Sequence, residues 1–80
     1  MEIRMHDVVA LLEEVPATHF ETGQPLTLVR GEVGTVVMTF DGSVVLVEFS
    51  ADDGCAYAME SIDPGKLLIL RQPPQQSAVA

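Results

Sequence analysis

A chain of 80 residues with 12 acidic and 4 basic side chains makes one small domain with a formal charge of −8. This charge argues against binding to nucleic acid or to an anionic membrane surface, because both need clustered Lys or Arg. The single cysteine, Cys55, excludes an internal disulfide and a thiolate zinc site and is typical of a reducing compartment. The start, MEIRMHDVV, does not resemble a secretory leader, so the sequence predicts a cytoplasmic protein.

The first predicted element is a short strand at residues 8–12, VVALL, although a single helical turn also suits this run. Pro16 is expected to end the strand, because proline removes a backbone donor from the sheet ladder. Residues 16–28 are then predicted to form a long loop that Phe20 and Leu26 attach to the core. Loops of this length inside compact domains are often functional or mobile.

Residues 31–49, GEVGTVVMTFDGSVVLVEF, predict a central hairpin. The Asp-Gly pair at positions 41 and 42 lies between apolar runs and predicts a two-residue type I′ turn. The resulting register pairs Phe40 with Ser43, Met38 with Val45, and Val36 with Val47. The predicted core face carries Val36, Met38, Phe40, Val45, Val47 and Phe49. The predicted outer face carries Thr35, Val37, Thr39, Val44, Leu46 and Glu48.

A second turn is predicted at residues 51–54, ADDG, where two registers compete. A four-residue loop points Tyr57 and Met59 outward, whereas a three-residue loop with a left-handed, bulged Gly54 points both inward beside Phe49. The bulged turn is preferred because burying each large side chain contributes about 1.5–3 kcal/mol. The residues expected to face outward are then Ala56, Ala58 and Glu60.

The chain is predicted to finish with a turn and an edge strand. Residues 63–65, DPG, predict a turn or a single 3₁₀ turn, and residues 67–70, LLIL, predict a last short strand. The domain is expected to span residues 1–71. Residues 72–80 are rich in Gln, Pro, Ser and Ala and predict a disordered tail.

Five short strands, two tight turns and one long early loop predict an all-β fold, a small and partly open antiparallel barrel of the SH3 type. The segments DVVALLEEVP, RGEVGTVV, VEFSADDGCAYAM and KLLIL carry a further indication. Together they resemble a family of small bacterial domains of unknown function with SH3-like barrels. The resemblance covers residues 7–70, and it implies the fold but no activity. The chain departs from that family in a longer first loop, THFETGQPLTLV.

Three aliphatic side chains on the predicted outer hairpin face, Val37, Val44 and Leu46, indicate a contact surface, because small proteins rarely expose such a group. The loop residues His19 and Phe20 are included as an extension of it. The alternative is that the long loop or the chain end covers these side chains. The function predicted is a non-enzymatic protein-interaction module or accessory subunit. Its partner would be a second copy, a larger enzyme, or a toxin that an acidic protein neutralises.

The alternative function is a small enzyme or ligand-binding protein that uses the loop at residues 16–28, with His19, Glu21 and Cys55 at its site. Such a site needs a pocket, and a small barrel filled with Val and Leu leaves little room for one. The spacing of His6 and His19 follows no known metal site, and no cofactor is predicted. The aspartates at positions 41, 52 and 53 are interpreted as turn formers.

Overall fold

The computed structural model describes residues 3–40, 43–51 and 53–70 of the chain. These residues form antiparallel β-strands, one 3₁₀ turn at Pro64–Lys66 and no α-helix, so the predicted all-β fold is confirmed. The strands are β1 Val8–Leu11, β2 Val15–Thr18, β3 Pro25–Leu28, β4 Val33–Phe40, β5 Val44–Ser50, β6 Ala56–Ile62 and β7 Leu67–Ile69.

Five of these strands form the main sheet, and the other two form a separate hairpin. The main sheet has the order β6-β5-β4-β1-β7, and β2 pairs only with β3. Apolar side chains from both sheets meet in one core between them. The buried residues are Val9, Leu11, Val15, Ala17, Leu28, Val36, Val45, Val47, Phe49, Ala58, Ile62 and Leu67.

The segment predicted as a long loop is mostly the β2–β3 hairpin, so that prediction is wrong. Pro16 does not end the first strand; it lies inside β2, opposite Thr27. Proline is tolerated there because β2 has only one ladder partner and its other edge needs no donor at that position. Leu26 packs against the core as expected, but Phe20 is 53% exposed and does not anchor the segment.

The β4–β5 hairpin differs from the predicted register by one residue. Val36 pairs with Val47 as predicted, but the register then shifts, and Met38 pairs with Leu46 and not with Val45. Val37 is the extra residue of this β-bulge, and a bulge reverses the facing of every later residue in its strand. Phe40 therefore pairs with Val44 and not with Ser43. The predicted turn residues Asp41 and Gly42 lie outside the described residues.

As a consequence of this bulge, the far end of β4 turns its large side chains away from the core. Met38 and Phe40, predicted to be buried, are 46% and 42% exposed. Thr39 takes the inward-facing position opposite Val45.

The β5–β6 hairpin has the predicted three-residue loop, and Tyr57 packs against the core as predicted, but the facing of the residues after Tyr57 is reversed. Gly54 is left-handed, with φ of +86°, and the Ala51 N–H donates to the Cys55 carbonyl at 2.9 Å. A register shift then makes Tyr57 an extra residue between the pairs Ser50–Ala56 and Phe49–Ala58. Ala58 is therefore fully buried.

The inward facing predicted for Met59 and the outward facing predicted for Ala58 and Glu60 are both wrong. Met59 is 40% exposed on the outside, and the Glu60 carboxylate accepts a hydrogen bond from the Thr18 N–H at 3.1 Å. The physical reason lies opposite Phe49. Its large ring is flanked by Gly34 on β4 and Ala58 on β6, and only such small neighbours leave space for it in the core.

The end of the described chain agrees with the prediction. The Asp63 carboxylate accepts from the Gly65 N–H at 2.8 Å and begins the 3₁₀ turn at Pro64–Lys66. The strand β7 then pairs with β1 at the edge of the main sheet. The predicted tail at residues 72–80 lies outside the described residues.

Candidate interaction surface

The side of the main sheet that faces away from the core is here called the outer face. Its residues follow from the strand registers and from the alternation of buried and accessible positions. They are Val8, Ala10, Val33, Thr35, Met38, Phe40, Val44, Leu46, Glu48, Met59, Ser61 and Leu68.

The outer face is largely apolar, since only Thr35, Glu48 and Ser61 on it are polar. Its large side chains remain open to solvent: Leu68 is 52% exposed and Val33 is 50% exposed. An antiparallel sheet with one solvated face normally carries polar residues on that face. A contiguous apolar surface of this kind is typical of a protein–protein contact site.

The predicted surface residues fall into two separate places. Val44 and Leu46 are half-buried on the outer face, and Val37 is half-buried at the bulge next to Met38. His19 and Phe20 lie in the β2–β3 connection, where the Phe20 N–H donates to the Tyr57 carbonyl at 3.1 Å. Tyr57 is beside the far end of β5, about 15 Å along the strand from Val44. The structure therefore does not unite the two predicted groups.

Several residues of the outer face are not predicted there by the sequence pattern. Met38, Phe40 and Met59 were assigned to the core because two bulges are invisible to a strict alternation of inward and outward positions. Val8 and Leu68 belong to apolar runs without alternation, VVALL and LLIL. Such runs are typical of strands that are apolar on both faces, so they were the sequence signal that could have placed Val8 and Leu68 on the outer face.

The side chains of the alternative site, those of His19, Glu21 and Cys55, make no hydrogen bond to one another in the described part of the chain. His19 Nδ1 accepts from the backbone N–H groups of Glu21 at 3.3 Å and Thr22 at 3.4 Å. Both contacts hold the Nδ1 edge of the ring against the backbone of its own turn. Cys55 is exposed in the β5–β6 turn, where its N–H donates to Asp53 Oδ1 at 2.9 Å. Nor do the described residues include a group of three His, Cys, Asp or Glu able to hold a metal.

Tyr57 makes a side-chain contact that ties β6 to the segment before β4. Its hydroxyl donates to Glu32 Oε2 at 3.1 Å. Burial raises the pKa of Tyr57 above its usual value, and the hydrogen bond and the negative charge of Glu32 raise it further. The neutral phenol is therefore the form that the fold stabilises.

This contact predicts a loss of stability at alkaline pH. Because the folded pKa of Tyr57 is raised, its contribution is complete below the unfolded pKa of about 10 and is lost as the pH rises through the folded value. Ultraviolet titration of this single tyrosine should give a midpoint above that of the urea-unfolded chain. In urea unfolding, Tyr57→Phe should lose less stability than the wild type between neutral and strongly alkaline pH. If the wild type and Tyr57→Phe lose the same unfolding free energy, the alkaline loss does not come from the Tyr57 hydroxyl.

Glu48 is the one charged residue of the outer face. It is half-buried, and in its row across the sheet it lies between Thr35 on β4 and Met59 on β6. Within the described residues its carboxylate takes part in no hydrogen bond or ion pair. The outer face itself carries no Lys, Arg or His.

Comparison with known proteins places the chain in a family without assigning it an activity. The profile of a domain of unknown function, DUF4926, matches residues 5–69, which include all seven strands. The chain belongs to the DUF4926 family. No curated protein and no solved structure matches it. Among the described residues, no helix has the length and apolar character needed to cross a membrane.

Proposed function

We propose that this DUF4926 domain is a non-enzymatic protein-interaction module that binds its partner on the outer face of the main sheet. The observation that carries the proposal is the concentration of exposed large apolar side chains on this face, from Leu68 on one edge strand to Met59 on the other. Burying such side chains against a partner supplies the main driving force for association.

The size of the outer face fits the centre of a protein interface. Five strands spaced about 4.8 Å apart make the sheet roughly 20 Å wide, and a strand of about six residues is roughly 20 Å long. The footprint is therefore roughly 400 Å², about half of the area that one partner contributes to a standard interface. Polar residues around such a centre commonly complete the contact as a rim.

We also infer that the five-stranded sheet and the β2–β3 hairpin together form an SH3-like barrel. A second inference is that the protein is cytoplasmic. Two bulges in neighbouring hairpins support the barrel, because bulges bend and twist long strands so that a sheet can curl over its core. The cytoplasmic location is supported by the single free and exposed Cys55.

The binding surface can be tested by charge substitution at two distant points of the outer face. Met38→Asp lies on β4 and Leu68→Asp on the edge strand β7, and both side chains are about half exposed, so the fold should tolerate the change. Each variant is expected to weaken capture of the partner at least tenfold, because an unpaired carboxylate would be desolvated in the interface. The measurement is affinity capture from lysate of the source organism with quantitative mass spectrometry.

Phe20→Asp is the matched control. Phe20 is as exposed as Leu68 but lies on the β2–β3 connection, so its substitution should leave capture unchanged. Circular dichroism should show that all three variants are folded. A partner lost with Phe20→Asp but retained by both outer-face variants would move the binding surface to the region around His19. A partner retained by all three variants would refute the outer-face assignment.

A further inference from the structure

The position of Glu48 constrains what can dock on the outer face. The residue lies on β5, next to the central strand of the main sheet, and Leu46 precedes it by two positions on the same face. Its side chain is half-buried among mostly apolar neighbours. A docking partner would remove the remaining water from this carboxylate, which is unfavourable unless the partner supplies a compensating charge or donor.

This chain offers no such charge from its own described residues. Arg4 precedes β1, Arg30 lies between β3 and β4, and Lys66 belongs to the 3₁₀ turn, where its Nζ is 3.7 Å from Glu13 Oε2. None of these cations belongs to a strand of the main sheet. Among the described residues, therefore, no cation lies beside Glu48 to neutralise it in an interface, and a docking partner can supply one.

A second copy of the chain fits this requirement poorly. In a two-fold dimer, each copy presents the same surface, so residues near the centre face their own counterparts. Two outer faces docked about the central strand would therefore bring two Glu48 carboxylates to within about 10 Å of each other in an apolar layer, with no cation from the described residues between them. The repulsion would add to that between two chains of charge −8.

Resting on the proposed function, we propose that Glu48 selects the occupant of the outer face. It bars a second copy of this chain and accepts a protein whose apolar docking surface carries one Lys or Arg near its centre. A cation there forms a charge-assisted hydrogen bond with the carboxylate, and the net negative charge of the module attracts a basic partner over longer range.

The Glu48→Lys variant of the same chain serves as the probe, because it presents the same apolar face with an ammonium group at its centre. Light scattering coupled to size exclusion should find the wild type and Glu48→Lys each monomeric when alone. An equimolar mixture should form a heterodimer that weakens in high salt. Glu14→Lys makes the same charge change outside the strands, so its mixture with the wild type should stay monomeric. Adding Met38→Asp to the wild-type member should also leave the mixture monomeric.

Two results would overturn the proposal that Glu48 selects the occupant of the outer face. One is a wild-type homodimer that Met38→Asp dissociates, and the other is a folded Glu48→Lys variant that does not pair with the wild type. If Glu48→Lys does not fold, Glu48→Gln replaces it and should self-associate at a concentration at least tenfold lower than the wild type. If Glu48→Gln and the wild type self-associate at the same concentration, Glu48 does not bar a second copy. The proposed function is judged separately by capture with Met38→Asp, so the two failures are distinguishable.

Discussion

Gly34→Ala is expected to lower the free energy of unfolding by about 3 kcal/mol, because the added methyl group has no space in the core. A Cβ at this position would lie 2.6 Å from Val47 Cγ1 and 2.9 Å from both the Glu48 carbonyl oxygen and Phe49 Cε1. One of these contacts is with backbone of the paired strand, which cannot move without disturbing the ladder. A domain of this size has only about 4–12 kcal/mol of stability, so a large share would be lost.

Urea unfolding followed by circular dichroism measures this loss, and Gly23→Ala is its control. Gly23 has a positive φ of 75° and open space around its Cβ position, so alanine there brings backbone strain without a clash. Gly23→Ala should lower the free energy of unfolding by about 1 kcal/mol. If the two alanine variants are equally destabilised, close packing at Gly34 is not the dominant effect.

Phe49→Ala is expected to destabilise the fold by about 3–5 kcal/mol, because it removes the largest fully buried side chain. The ring lies between Gly34 on one neighbouring strand and Ala58 on the other. Neither neighbour can extend to fill the cavity. The variant should be partly unfolded without denaturant, and calorimetry should show a much lower melting temperature.

Phe40→Ala makes the same chemical change at a half-exposed position of the outer face, and it should cost about 1 kcal/mol or less. This comparison also tests the first bulge. The register without the bulge buries Phe40, and a cost of several kcal/mol there would support that register.

The Gly34 and Phe49 sites are in contact, so their effects should not be additive. In a Gly34→Ala/Phe49→Leu double variant, the smaller leucine leaves room for the new methyl group. The double variant is expected to be more stable than the sum of the two single losses allows. A strictly additive result would mean that Val47 and the Glu48 carbonyl alone cause the cost at Gly34.

Local sequence signals determined much of this fold. The alternation from Val45 to Phe49 determined which side of β5 is buried, and Gly54 determined a left-handed three-residue turn. Asp63 and Pro64 determined the 3₁₀ turn before the last strand. Each of these features depends on residues close together in the chain, so the local pattern contains the necessary information.

Only the tertiary structure decided the two bulges and the strand that contains Pro16. Tyr57 became an extra residue because Phe49 needs a small neighbour across the sheet, and the register shift places Ala58 there. The bulge at Val37 leaves the Gly34–Phe49 pair of the predicted register unchanged, and no local pattern in the sequence indicates it. Pro16 fits into β2 because that strand pairs on one side only. These are relations between strands, and a shift of one residue reverses a whole strand end. The local pattern therefore predicts Val44 and Leu46 on the outer face, but it also predicts Met38, Phe40 and Met59 in the core, where the structure does not place them.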